Sequence, residues 1–308
     1  MNARLREKLY KAFHEKNAIQ RFVARRFLFN LFQRVGLHVT GDHFHEAVPN
    51  TRYVAEHYSD SARSLKGIDW RFGEAEQHAL RLVRTYGQEY SEACGKYGFR
   101  EDNPYFKGLD ALMLYLVLRD LRPERVIEIG QGFSTRVALA ALERNAEETG
   151  RDVEFISIDP YRRIPQWTEP PKVRFRAVQK EMQEVELEPL LEGCGFLFID
   201  SSHVYKFGSD VAYEFTQLYP RLPSGMVFHV HDIFSPYDYP KHFMVEEKFF
   251  YNEQYFLECF LMFNPAFEVQ LPVHLLARES CALKEAVGRL PLDKKFAHEG
   301  GSFYLLRK

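Results

Sequence analysis

Cysteine is scarce and scattered: four in 308 residues, at positions 94, 194, 259 and 281, with no CxxC pair. That spacing argues against a zinc ribbon or a disulfide framework and makes a reducing, cytoplasmic setting the expectation. No apolar run reaches the ~18 residues needed to cross a bilayer. The first residues also lack the uninterrupted apolar stretch of a signal peptide. Net charge is almost missing, with 41 Lys+Arg against 43 Asp+Glu and −2 overall, so the whole chain makes no case for nucleic-acid binding. Repeats and low-complexity tracts are absent. What remains, 45% hydrophobic and 27% charged residues, is ordinary globular usage. The length suits one large domain or two small ones with a full core.

The charge is unevenly placed. Residues 1–38 hold nine basic and two acidic side chains. That segment is therefore +7 against a whole-chain charge of −2, leaving −9 for the rest. Its apolar residues (Leu5, Leu9, Phe13, Ile19, Phe22, Phe27, Phe29, Phe32) recur between the charges and predict a helix over 3–36. A basic amphipathic helix suits the anionic inner face of a membrane. The plainer reading is an arm that packs on the main domain or on a second copy in a homodimer. Residues 37–58 read as irregular, with Gly41, Pro49 and Asn50 as breakers. A mixed-charge helix is expected over 73–96 and an apolar one over 109–121, stopped by Pro123. We place the boundary between a 1–100 lid or dimerisation region and a 101–308 domain there.

Beyond it, strands and helices alternate. Strands are expected at 126–129, 155–158, 173–178, 196–199, 226–230, 267–271 and 303–306. Helices are expected at 134–149, 205–219 and 241–263. Such alternation implies an α/β fold, a doubly wound and mostly parallel seven-stranded sheet covered on both faces. Ligands of such sheets bind at the carboxyl ends of the strands.

Those ends carry the chemistry. The first strand runs into Glu128-Ile129-Gly130-Gln131-Gly132-Phe133-Ser134-Thr135. Its glycines allow a tight turn and close approach of backbone to a ligand, before a helix N-terminus that favours anions. Ser134 or Thr135 is the expected N-cap. The second strand ends in Asp159, placed to accept hydrogen bonds from ribose hydroxyls. The fourth ends in Asp200-Ser201-Ser202-His203 and the fifth in His231-Asp232. Two carboxylates suit Mg²⁺, and an added imidazole tilts the choice towards Mn²⁺, Fe²⁺ or Zn²⁺. His203 suits removal of a proton from a hydroxyl. The spacing does not favour a triad of two histidines and one carboxylate. His229 reads as a core or supporting histidine, and Trp70 and Trp167 as core or interface.

VIEIGQGFST, FISIDP, FLFIDSSH and VFHVHDIF together resemble class I S-adenosylmethionine-dependent methyltransferases. The subgroup they resemble contains metal-dependent sugar and macrolide O-methyltransferases. The final EGGSFYLLRK is similar to the family's antiparallel last strand. The resemblance covers residues 37–308 and is most specific over 104–240. It implies a Rossmann-like methyltransferase fold with an N-terminal helical extension. It also implies S-adenosylmethionine as cofactor, a Mg²⁺ or Mn²⁺ ion, and a small-molecule or glycan acceptor. By position, Glu128, Gly130, Gln131, Gly132 and Ser134 are implied at the methionine end of the cofactor, with Asp159 at the ribose. Asp200 is implied next to both cofactor and metal, His231 and Asp232 at the metal, and His203 as general base beside Asp200. His231 stands where such enzymes can have an acidic ligand, so the metal's identity stays open. Two other readings use the same features: a nicotinamide-dependent oxidoreductase and a non-catalytic nucleoside-binding scaffold. The first is disfavoured because Thr135 stands where GxGxxG needs glycine.

Overall fold

A computed structural model describes residues 22–42, 45–93, 95–161, 173–292 and 300–308. Most of the basic segment, Trp167 and Cys94 lie outside these residues. The chain forms two compact units. One is Met1–Ser59 with Pro240–Phe250; the other is Asp60–Tyr239 with Tyr251–Lys308. By contacts, residues 60–100 therefore count with the sheet-bearing unit, whereas the sequence reading grouped them with the N-terminus.

In the larger unit the alternation becomes seven strands: β1 Arg125–Ile129, β2 Val153–Ile158, β3 Val173–Val178, β4 Phe196–Ile199, β5 Val227–Val230, β6 Phe267–Pro272 and β7 Phe303–Arg307. They lie in the order β3-β2-β1-β4-β5-β7-β6. Strands β1 to β5 are mutually parallel, and β7 enters antiparallel between β5 and β6. This is the doubly wound sheet with an antiparallel last strand that the resemblance implies. The chain reverses its winding between β1 and β4, so the crevice beyond their carboxyl ends is the topological switch point.

Both sheet faces are buried at the centre, where β1, β2, β4 and β5 each send apolar side chains to both sides. Val126, Phe155, Phe196 and Phe198 face one core with helices Phe72–Ala93, Gly108–Leu121 and Phe133–Thr149. Ile127, Ile156, Leu197 and Phe228 face the other, with Leu187–Leu191 and Glu253–Leu261. Helix Gly108–Leu121 is buried almost all round, as its unbroken apolar run requires.

Four local expectations need correction. Residues 37–58 are not all irregular: Thr51–His57 is a helix, and Asn50 is its N-cap rather than a breaker, accepting from the N–H groups of Arg52 (2.9 Å) and Tyr53 (3.2 Å). The helix expected from 205 begins at Asp210, after Ser209, whose Oγ accepts from Ala212 N–H at 3.1 Å. The helix expected over 241–263 is broken into Lys241–Val245 and Glu253–Leu261, with Lys248 at φ +60° between them. Two helices not expected at all, Val273–Glu279 and Cys281–Gly288, join β6 to the final segment.

Candidate functional site

The turn after β1 is set by one steric fact. Gly130 has φ +88°, and a Cβ there would sit 1.9 Å from the Asp200 carbonyl oxygen. Its N–H donates to Ile158 O at 2.9 Å, and Asp200 N–H donates to Ile129 O at 2.9 Å. The ends of β1, β2 and β4 are thereby drawn together. Gly132 differs: its backbone is extended, and a Cβ there would meet nothing within 4 Å. Helix Phe133–Thr149 starts from it, so Gly132, not Ser134 or Thr135, is the N-cap.

The two hydroxyls instead turn back under the turn. Ser134 Oγ and Thr135 Oγ1 donate to Glu128 at 2.8 and 2.7 Å, and Ser157 Oγ donates from β2 at 2.5 Å. Glu128 is thus a buried clamp between β1, β2 and the helix. Burial pushes its carboxyl up to about 7, against the three hydroxyls that stabilise the anion. The folded state then holds this proton more tightly than the unfolded chain does, so stability falls as pH rises from 4.5 to about 7. Glu128→Gln removes that dependence. Urea unfolding at pH 5 and pH 8 should show the gap between variant and parent changing by on the order of 3 kcal/mol. Parallel pH profiles would refute the assignment.

Asp159 is buried at the end of β2. Its carboxylate accepts from Gln131 N–H (2.9 Å) and Tyr161 N–H (2.6 Å). These bonds orient the carboxylate toward the turn after β1. Gln131 contributes its backbone to this contact.

Beyond β4 and β5 the structure brings Asp200, His203, His231 and Asp232 together. His203 Nε2 lies 3.1 Å from Asp200 Oδ1 and 3.7 Å from Asp232 Oδ2. His231 Nδ1 lies 3.4 Å from Asp200 Oδ1 and 3.8 Å from Asp232 Oδ1. One ligand atom from each of Asp200, His203 and His231 falls within 4.8 Å of the others. The fold therefore builds the two-histidine, one-carboxylate set that linear spacing did not favour, because adjacent parallel strands β4 and β5 deliver it. His203 (φ +58°) and Asp232 (φ +55°) are both held in the left-handed region, a strain that concentrates at functional sites.

Two supporting carboxylates escaped the sequence reading. Glu253, fully buried, accepts from His203 Nδ1 at 2.9 Å. The N–H groups of Asn252 and Glu253 donate to the His203 carbonyl at 3.0 and 3.2 Å. The break in the 241–263 segment thus creates the helix start that grips His203 by ring and backbone. Asp110 accepts from the N–H groups of Gly301 (2.9 Å) and Ser302 (2.7 Å) and lies 3.4 Å from His231 Nε2. Its signal was present: it is the one carboxylate in the apolar run 108–118. Glu253 gave no such signal: within the helix expected over 241–263 it is one of four glutamates.

The electrostatics follow. Burial alone would lower the His203 imidazole, but Asp200, Glu253 and Asp232 raise it well above its ordinary value. Burial likewise opposes the rise of His231, which Asp232, Asp200 and Asp110 impose. Asp200, a third exposed, is held far below the usual carboxylate range against burial by His231 and His203. Four carboxylates surround two imidazoles, so the cluster attracts cations. His229 lies behind the cluster, its ring 6.0 Å from that of His231. It is buried, stacked on Phe198 at 4.4 Å, and burial pushes its imidazole down to about 3. It is a neutral core residue, as expected.

Comparison with known proteins gives the following. Residues 127–233 match the family model described as "Methyltransferase domain". An uncharacterized protein of Archaeoglobus fulgidus is 30% identical over 129 residues, 39% of this chain and 57% of the relative. The chain thus spans under two thirds of that relative's length. Among solved structures, SAH-bound Podospora anserina methyltransferase PaMTH1 is similar at 13% identity and TM-score 0.37, covering 84% of this chain and 93% of that one. MycE from the mycinamycin biosynthetic pathway, with Mg and SAH, is similar at 15% and 0.38, covering 71% and 53%. The Mg-SAM form of cmcI is similar at 14% and 0.37, covering 65% and 71%.

Proposed function

We propose that this chain, which carries a methyltransferase domain at residues 127–233 within a class I sheet, methylates a hydroxyl oxygen using S-adenosylmethionine. We take the acceptor to be a sugar, a glycan or another hydroxylated small molecule. The observation that carries the reading is the convergence, at the switch point, of a glycine turn, an oriented acid and a His–carboxylate cluster. Gly130 closes the turn, Asp159 presents its carboxylate beside Gln131, and open space lies over Gly132 at a helix start.

The cofactor's sulfonium supplies an already activated methyl group, so the protein's task is to bind, orient and exclude water. Asp159 is assigned to the ribose hydroxyls and the 130–132 backbone to the rest of the cofactor. The donor set fits a divalent cation: Asp200, His231 and Asp232 would hold it, and it would acidify a coordinated hydroxyl. His203 takes the acceptor's proton at Nε2. Glu253 accepts the Nδ1 hydrogen and fixes the ring with Nε2 toward Asp200 and Asp232; these carboxylates hold a proton on the ring, so Nε2 acts as base once that proton has left. A second arrangement is favoured by the grouping of Asp200, His203 and His231: His203 is then a metal ligand and Asp232 supports it. The measurement that separates the two is argued in the Discussion.

Calorimetric titration of the purified chain with S-adenosylmethionine and S-adenosylhomocysteine tests the core of the proposal. Dissociation constants in the micromolar range are expected, and Asp159→Ala should weaken both by about 100-fold through loss of two charge-assisted hydrogen bonds. Folded protein that binds neither, or binds NADH instead, would return the chain to the scaffold or nicotinamide reading.

A further inference from the structure

Phe22 and Phe27 lie five residues apart, too far to share a face of an ideal α-helix. The structure resolves this with a π-helical turn over Ala24–Leu28. The wider turn brings the two rings to 6.2 Å in an edge-to-face contact. An α-helical turn, Phe29–Gln33, follows; Leu31 extends the row by one turn, and Val35 lies in the turn just past the helix. Phe22, Phe27, Leu31 and Val35 are 61%, 61%, 59% and 71% exposed. A row of four large apolar side chains in solvent is unusual for a soluble surface and marks a contact site.

The charges around this row have one sign. From Lys16 to Gly41 the sequence has five cations (Lys16, Arg21, Arg25, Arg26 and Arg34) and no Asp or Glu. Arg25 is engaged by Glu46 at 2.5 Å; Arg26 and Arg34 are exposed. With −9 on the chain beyond residue 38, this is the segment a negatively charged surface would attract. Among the described residues no helix is long and apolar enough to cross a membrane, which leaves an in-plane mode for this face.

We propose that residues 22–35 seat the protein on an anionic lipid surface, with Phe22, Phe27, Leu31 and Val35 entering the interface and Arg26 and Arg34 meeting lipid phosphates. Apolar insertion and cation attraction are the two signals that together make a peripheral anchor. The inference stands apart from the methyl-transfer reading, since none of these residues belongs to the site above.

Flotation of the full-length chain with two vesicle types tests it: phosphatidylcholine alone, and phosphatidylcholine with about one third phosphatidylglycerol. Binding to the anionic vesicles only, weakened at high salt, is expected. Arg26→Glu with Arg34→Glu should lower partitioning by at least about 30-fold, and Phe27→Asp with Leu31→Asp should abolish it. Circular dichroism and cofactor titration should stay at parental values for both variants. No flotation, or equal flotation with neutral vesicles, overturns the proposal. So does a dimer by light scattering that Phe27→Asp with Leu31→Asp converts to a monomer, because a second copy would then cover the face.

Discussion

Gly130→Ala is expected to be among the most damaging single substitutions in the sheet-bearing unit. The new methyl would sit 1.9 Å from the Asp200 carbonyl oxygen and 2.9 Å from the carbonyl carbon. Both are backbone atoms of the segment leaving β4, so no side-chain rotation relieves the clash. Relief requires the ends of β1 and β4 to part, which breaks the Asp200 N–H bond to Ile129. Overpacking costs about 1–3 kcal/mol, and a left-handed alanine adds about 1–2. A loss of about 2–5 kcal/mol in urea unfolding follows. Any folded fraction should fail to bind S-adenosylmethionine, because Asp200 and the turn shift together. Gly132→Ala is the matched control. Its backbone is extended and the added methyl meets nothing within 4 Å, so stability should change by under about 1 kcal/mol. Cofactor affinity should still fall in that variant if the space is the cofactor's. A Gly130→Ala protein as stable as the parent would mean that β1 and β4 do not approach as described.

This contrast marks how far the sequence alone could be read. The strands were legible because parallel buried strands are short apolar runs, and the residues ending them are fixed by chain order. Asp159, Asp200, His203, His231 and Asp232 could therefore be chosen by position. The difference between Gly130 and Gly132 was not legible, since both read as turn glycines and only the approach of β4 tells them apart. The same holds for Ser134 and Thr135: both look like N-caps in the sequence, but both hydroxyls donate to Glu128, and Thr135 also accepts from Gly132 N–H as the third residue of the helix. Asp110 and Glu253 reach their partners His231 and His203 across 121 and 50 residues of sequence, a relation that periodicity does not encode. The break before Glu253 was hidden for a related reason: the helical apolar pattern continues across it, and the tertiary contact with His203 decides where the helix starts.

Mn²⁺ binding should release protons, and the size of that release tests the cluster directly. Both imidazoles hold their protons well above the usual pH in the metal-free chain because carboxylates surround them. An imidazole must be deprotonated before it ligates. Affinity should therefore rise as pH increases from 6.5 upward, and the calorimetric heat should depend on the buffer's own ionisation enthalpy. His231→Ala should weaken Mn²⁺ by more than about 100-fold, and Asp110→Asn by about 10–100-fold through the lost support at His231 Nε2. Mg²⁺, which prefers oxygen donors, should bind more weakly than Mn²⁺ to the parent. His203→Ala then separates the two arrangements. If His203 is the base, Mn²⁺ affinity stays within about fivefold, the size of an ordinary 1 kcal/mol perturbation. If it is a ligand, affinity falls as far as it does for His231→Ala. Mn²⁺ heats that are absent at pH 8, or that survive His231→Ala unchanged, would remove the cation from the mechanism and leave the four carboxylates to serve only as anchors for two protonated histidines.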